Sequence, residues 1–152
     1  MAVEIGQPAP DFALKNPAGE TVTLADFAGA PLLLVFYPFT FTGVCEGELC
    51  RIRDDYSEFE AAGVQVAAVS CDSRHSQRVW SEQQGYQFPF LSDFWPHGAA
   101  ATAYGIFNAT LGCAMRSSFL IGADGVLVDT FGTDELGTPR EAARYTEALA
   151  KL

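Results

Sequence analysis

Basic residues are scarce in this chain. Only 9 Lys and Arg stand against 19 Asp and Glu, for a formal net charge of −10 at pH 7. Phosphate backbones and anionic lipid surfaces select for Lys and Arg, so nucleic acid and membrane are excluded as expected partners. Histidine is scarcer still: His75 and His97 are the only two, and they are isolated. No Cys-x-x-Cys pair exists among the cysteines at 45, 50, 71 and 113. Structural zinc sites normally show close ligand pairs, so no metal is expected. Long apolar runs are missing too. The longest, "APLLLVFYPF", is too short to span a bilayer. The start, "MAVEIGQPAPDF", has neither the basic region nor the apolar stretch of a secretory signal. A cytoplasmic, reducing location is expected, where cysteines are buried thiols or catalytic groups rather than static disulfides. Repeats, low-complexity tracts and linkers are absent.

What the chain does have is apolar substance: 49% of its 152 residues are hydrophobic. That suits one compact domain over residues 1–152, long enough to need no disulfides. "FALKNPAGETVTL" reads as strand, turn, strand. "PLLLVFY" (31–37) and "VQVAAVS" (64–70) are continuous apolar runs of the kind buried central strands show, and Pro38 ends the first. Between them Leu49, Ile52, Tyr56 and Phe59 recur on one helical face, with Gly63 as stop. "CDSRHSQRVWSEQQG" predicts a second helix closed by Gly85, "FPFLSD" a short extended piece and "PHGAAATAYG" a short helix. "RSSFLIGADGVLVDTFG" reads as a hairpin turning at "ADG". A C-terminal helix is predicted from Thr138 as N-cap and Pro139 as its first residue, with Tyr145, Leu149 and Leu152 on one face. The order β-α-β-α then β-β-α is that of an α/β, thioredoxin-like sandwich with a central mixed sheet and an N-terminal β-hairpin extension.

The segment "PFTFTGVCEGELC" (38–50) carries the chemistry. Ligands of open α/β sheets gather at the carboxyl ends of the strands, and Cys45 falls just past the 31–37 strand. With Thr42 or a neighbour as cap, Cys45 lies in the first turn of the next helix. There free N–H groups and the helix dipole favour an anion. An ordinary thiol is mostly protonated at neutral pH, and a helix end contributes only ~0.3–2 kcal/mol. A cation must help, and Arg116 at the start of the late hairpin is the candidate.

The residues Pro38, Thr42 and Cys45 match the pattern Pro, three residues, Thr, two residues, Cys, and here the chain resembles the peroxiredoxins. "APDFAL", "VSCDSRHSQRVW", "FPFLSDFWPHG", "AYGIF" and "RSSFLIGADG" follow in the expected order, so the likeness covers nearly the whole chain. "TGVCEGEL" and "LSDFWPHGA" are most similar to the one-cysteine alkyl hydroperoxide reductase E group. The resemblance implies a thiol-dependent peroxidase for hydrogen peroxide and alkyl hydroperoxides, without metal or organic cofactor. Cys45 would be the peroxidatic thiolate. Thr42 would hydrogen-bond the peroxide oxygens, Pro38 would shield the thiolate and the sulfenic acid, and Arg116 would stabilise the thiolate and polarise the peroxide. Glu48, three residues after Cys45, is either an orienter of Arg116 or a solvated helix carboxylate.

Cys50 departs from that group. Its spacing from Cys45 matches the bacterioferritin-comigratory peroxiredoxins, in which the later cysteine resolves the sulfenic acid. On an intact helix the two Cα atoms would lie roughly 8.6 Å apart, beyond the ~7 Å that a disulfide tolerates. Resolution therefore requires unwinding, which Gly47 would ease; otherwise Cys50 is a structural thiol. Cys113 is an alternative resolving thiol or a structural one. Cys71, Trp80 and Trp95 read as packing or interface residues, and His75 and His97 as capping or surface residues. The resemblance further implies a homodimer, with "FWPHG", Phe39 and Phe41 near the contact. It also implies electrons from thioredoxin or, without a resolving cysteine, from a low-molecular-weight thiol with a glutaredoxin-like protein. A redox sensor passing oxidation from Cys45 to a client is the competing class. A disulfide reductase is weaker for want of Cys-x-x-Cys.

Overall fold

Leu32–Phe36 (β3) is buried at every position, and its side chains alternate between two cores. Leu33, Val35 and Tyr37 join one core, while Leu32, Leu34 and Phe36 join the other. That is the period of two of a strand covered on both faces. The computed structural model describes residues 3–152. Its main sheet has seven strands in the order β2-β1-β5-β4-β3-β8-β9. The strands are β1 (Ala13–Lys15), β2 (Thr21–Thr23), β3, β4 (Gln65–Ser70), β5 (Phe90–Ser92), β8 (Arg116–Ile121) and β9 (Leu127–Thr133). A separate two-stranded ribbon, β6 (Phe107–Asn108) with β7 (Cys113–Ala114), was not foreseen from the sequence. β3, β4 and β5 run parallel, whereas β8 is antiparallel to β3. The N-terminal hairpin is stitched to the sheet where Lys15 pairs with Ser92.

The helices are α1 (Gly43–Asp54), α2 (Tyr56–Ala61), α3 (Arg74–Gln84), α4 (Ala99–Ala103) and α5 (Ala143–Leu149). Leu49, Ile52, Phe59, Trp80 and Ala148 from α1, α2, α3 and α5 close one core; Ala100 and Ala101 from α4 close the other. The single helix expected over 49–59 breaks at Asp55, yet its apolar face is kept, with Leu49, Ile52 and Phe59 buried. Gly63 follows at φ +73, a conformation that a side chain rarely adopts. Ser73 caps α3 by accepting from Ser76 N–H, and Gly85 closes it in the left-handed region.

The C-terminal helix differs from expectation. It starts at Ala143 rather than at Thr138. The Thr138 hydroxyl donates to Glu135 Oε2 at 2.9 Å, and Arg140 N–H donates to Glu48 Oε2 at 2.7 Å. Both groups are thereby taken up outside the helix. Leu152, expected on the apolar face, is 50% exposed, whereas Tyr145 and Leu149 do pack on the core. No helix among the described residues is long and apolar enough to cross a membrane.

Candidate active site

Backbone pairing of β3 extends to Tyr37, whose N–H donates to Val69 O at 2.9 Å. Pro38, also buried, has no N–H and stops the ladder. The loop beyond is held from two sides. Thr40 N–H donates to Asp72 Oδ2 at 2.9 Å, and the Tyr37 and Thr40 hydroxyl oxygens are 2.9 Å apart. Phe41 turns the chain at φ +66, a strained conformation for a bulky residue. Thr42, in extended conformation, then leads into α1.

Thr42 is the N-cap residue by position, but its hydroxyl does not cap. It donates back to Phe39 O at 2.7 Å. The first-turn N–H groups of α1 are therefore not taken up by this side chain, and they face the end of the helix where an anion is favoured. Cys45, third residue of α1, is fully buried.

Arg116, first residue of β8, reaches Cys45 from the sheet. Its Nη1 donates to Cys45 Sγ at 3.2 Å and to Glu48 Oε1 at 2.7 Å, while Nε donates to Leu136 O at 2.7 Å. Glu48 is no solvated carboxylate, since its side chain is only 6% exposed. Burial alone would raise its pKa. Hydrogen bonds and charge from Arg140, with a further bond from Arg116, override that and hold the carboxyl below the usual range. Two guanidiniums and one carboxylate leave a net positive charge beside the sulfur, which a thiolate neutralises.

Arg140 was missed by sequence reasoning. Its Nε and Nη2 donate to the Glu48 carboxylate, and its Nη1 donates to Phe36 O at 2.7 Å and Ser118 Oγ at 3.1 Å. One side chain thus ties α1, β3 and β8 together. A signal was available, because a guanidinium in the first turn of a predicted helix opposes the dipole. Asp72 and Thr40, which fix the loop, carried no such signal.

The other sulfurs lie elsewhere. Cys50, half-buried, faces the end of α3: its Sγ is 3.6 Å from Gln84 Oε1 and 3.5 Å from the Tyr86 hydroxyl. All four cysteines are free thiols, and Cys45 and Cys50 lie in one unbroken helix. Burial, then the charge of Asp93, pushes the Cys71 thiol up to about 12. Burial, then proximity to Cys45, raises Cys113, which is fully enclosed in β7. His75 is exposed, and His97 spans two backbone carbonyls, Phe94 O and Gly112 O. Trp80 is core, packed on Tyr37, Tyr86 and Phe90, whereas Trp95 is 81% exposed. A cleft of about 640 Å³ between α1–α2 and the C-terminal segment is walled by Glu48, Ile52, Phe59, Arg140 and Tyr145. Cys45 itself is not on its walls.

Comparison with known proteins agrees with this architecture. The sequence profile of the AhpC/TSA family matches residues 5–130. Alkyl hydroperoxide reductase E of Mycobacterium tuberculosis is 40% identical over 151 residues, covering 99% of this chain and 98% of that protein. Peroxiredoxin tpx1 of Schizosaccharomyces pombe is 36% identical over 137 residues, covering 84% and 70%. Among solved structures, peroxidoxin BcpB of Mycobacterium tuberculosis superposes with a TM-score of 0.86 at 27% identity, covering 98% of this chain and 96% of that one. AhpC of Enterococcus faecalis gives a TM-score of 0.88 at 27% identity, covering 99% and 92%. The thioredoxin-like mixed sheet and these relatives define the class, a peroxiredoxin that acts on peroxides with thiol reductants. The chain belongs to the AhpC/TSA family.

Proposed function

We propose that Cys45 is the peroxidatic residue of this thiol-dependent peroxidase. The observation that carries the reading is the Arg116 Nη1 bond to Cys45 Sγ at 3.2 Å, in a buried cluster that lacks one negative charge. The thiolate attacks the terminal oxygen of a hydroperoxide; the O–O bond breaks, the leaving oxygen takes up a proton from solvent, and Cys45 sulfenic acid and water or an alcohol result. Thr42 binds the substrate as an acceptor, since its own proton is directed at Phe39 O. Arg116 Nη2, not used in the bonds to Cys45, Glu48 and Leu136, stabilises charge on the leaving oxygen. Pro38 shields the sulfur from water. Glu48 orients Arg116, and Arg140 orients Glu48.

Cys50 then resolves the sulfenic acid. Its sulfur bonds to Cys45 Sγ, the S–OH bond breaks and water leaves. Thioredoxin reduces the disulfide, and where Cys50 does not act, a low-molecular-weight thiol with a glutaredoxin-like protein takes its place. Residues 1–152 act as one domain, in the cytoplasm and as a homodimer. Exposed Phe39, Phe41, Phe94 and Trp95 support the last point, because large exposed aromatics mark contact surfaces.

The test is hydroperoxide consumption with thioredoxin and its reductase. Cys45→Ser is expected to fall to the uncatalysed background with the fold retained. Consumption at the native rate would overturn the assignment.

A further inference from the structure

Gln84, at the C-terminal end of α3, touches the helix of the reactive cysteine twice. Its Nε2 donates to Glu46 Oε1 at 2.9 Å, and its Oε1 accepts from Cys50 Sγ at 3.6 Å. Tyr86 sets its hydroxyl 3.5 Å from the same sulfur, and Gln84 O accepts from Arg53 Nη1 at 2.7 Å. The side-chain amide has a defined sense, with its NH2 toward the carboxylate and its oxygen toward the thiol. A flipped amide would set oxygen against carboxylate. Glu46 and Cys50 are four residues apart, on one face of α1. Gln84 therefore straps together the turns that separate Cys45 from Cys50. Those are the turns a 45–50 disulfide must unwind. Within them, a Cβ on Gly47 would meet nothing within 4 Å, so packing on that residue does not hold the segment.

We infer that Gln84, aided by Tyr86, is a latch on Cys50 that sets how fast the Cys45 sulfenic acid is converted to disulfide. The inference rests on reading Cys50 as the resolving thiol. The step it governs is balanced: the Cys50 and Cys45 sulfurs join, the Cys45 S–O bond breaks, and the hydroxyl leaves as water with the Cys50 proton. No further oxidant is needed. Gln84 and Tyr86 are positioning residues, acting through the helix and not on the peroxide. A slow latch prolongs the sulfenic acid and exposes it to a second peroxide.

The experiment is rapid quench of the reduced full-length protein after one equivalent of hydrogen peroxide. Dimedone traps the sulfenic acid, and mass spectrometry maps the disulfide. The readout is the ratio of disulfide formation to sulfenic acid formation. Gln84→Ala is expected to raise the ratio about threefold to tenfold, the effect of a lost hydrogen bond; Tyr86→Phe raises it less. Gly47→Ala lowers it about fivefold by favouring the helix. The reversed pair Glu46→Gln with Gln84→Glu restores the bond between residues 46 and 84 and returns the ratio to the native value or below it, which a general loosening of the fold would not do. An unchanged ratio in Gln84→Ala, with the disulfide forming in the native protein, overturns the latch and leaves Cys50 as resolving thiol. No 45–50 disulfide in either protein overturns the resolving role, and the latch with it.

Discussion

Arg140 grips both carboxylate oxygens of Glu48. Its backbone N–H and Nε donate to Oε2 at 2.7 and 3.0 Å, and Nη2 donates to Oε1 at 3.0 Å. The same Oε1 accepts from Arg116 Nη1, so the geometry at the sulfur is set by a residue near the end of the chain. Both guanidiniums are almost wholly enclosed, so loss of one partner leaves the other a poorly solvated charge.

Arg140→Ala should therefore be costly. Breaking a buried ion pair by removing one partner destabilises by roughly 3–5 kcal/mol. For a chain of about 150 residues, each kcal/mol shifts Tm by roughly 2–4 °C. A fall of about 6–20 °C by calorimetry is expected, together with slower sulfenic acid formation. A fall of about 2 °C or less would mean that the pair contributes little.

Acid should weaken the same cluster. The folded Glu48 pKa lies below its unfolded value of about 4.3. Its contribution is complete above that value and is lost as pH falls through the folded pKa. Asp93 runs the other way. Burial raises its pKa against the pull of Ala100 and Ala101 N–H, so stability rises as pH falls through its folded pKa. The difference between native protein and Glu48→Gln isolates the first effect. It should be large at pH 7 and shrink below about pH 4 in urea titrations; a difference independent of pH would contradict the ion-pair account.

Cys71 and Cys113 should be silent towards electrophiles. With its thiol pushed up to about 12, Cys71 carries almost no thiolate at pH 8, and Cys113 is both raised and enclosed. Brief iodoacetamide treatment should leave both unmodified by peptide mapping, and Cys113→Ser should turn over peroxide like the native protein. Loss of turnover in that variant would make Cys113 a resolving thiol after all.

Thr42 should matter through its oxygen. Thr42→Val keeps the shape but removes the acceptor, and kcat/KM for hydroperoxide is expected to drop about 100-fold or more, as for a deleted transition-state contact. Thr42→Ser should retain most activity. Equal rates in the valine variant would remove Thr42 from the site.

Much of this was legible in the order of residues. The apolar runs 31–37 and 64–70 are of the kind buried strands show, and β3 and β4 lie there. The place of Cys45 in the first turn of a helix was readable from its position just past the 31–37 strand, and Gly85 from its place after a polar-apolar helix. The ribbon β6–β7 was not legible, since its strands of two residues carry no periodicity. Nor was the start of α5, because local capping signals at Thr138 and Pro139 lost to Arg140, whose bonds run to residues 92 and 104 positions away.

Local sequence sufficed for the alternating two-faced strands and for a helix whose first turn holds Cys45, because propensity and periodicity act over a few residues. Arg116 was nameable as the cation, but its reach to the sulfur and the Glu48–Arg140 pair that holds it arise from long-range packing. Arg116, Glu48 and Arg140 come from three distant segments, and they share one buried site because an enclosed charge is tolerable only when its partners are enclosed with it.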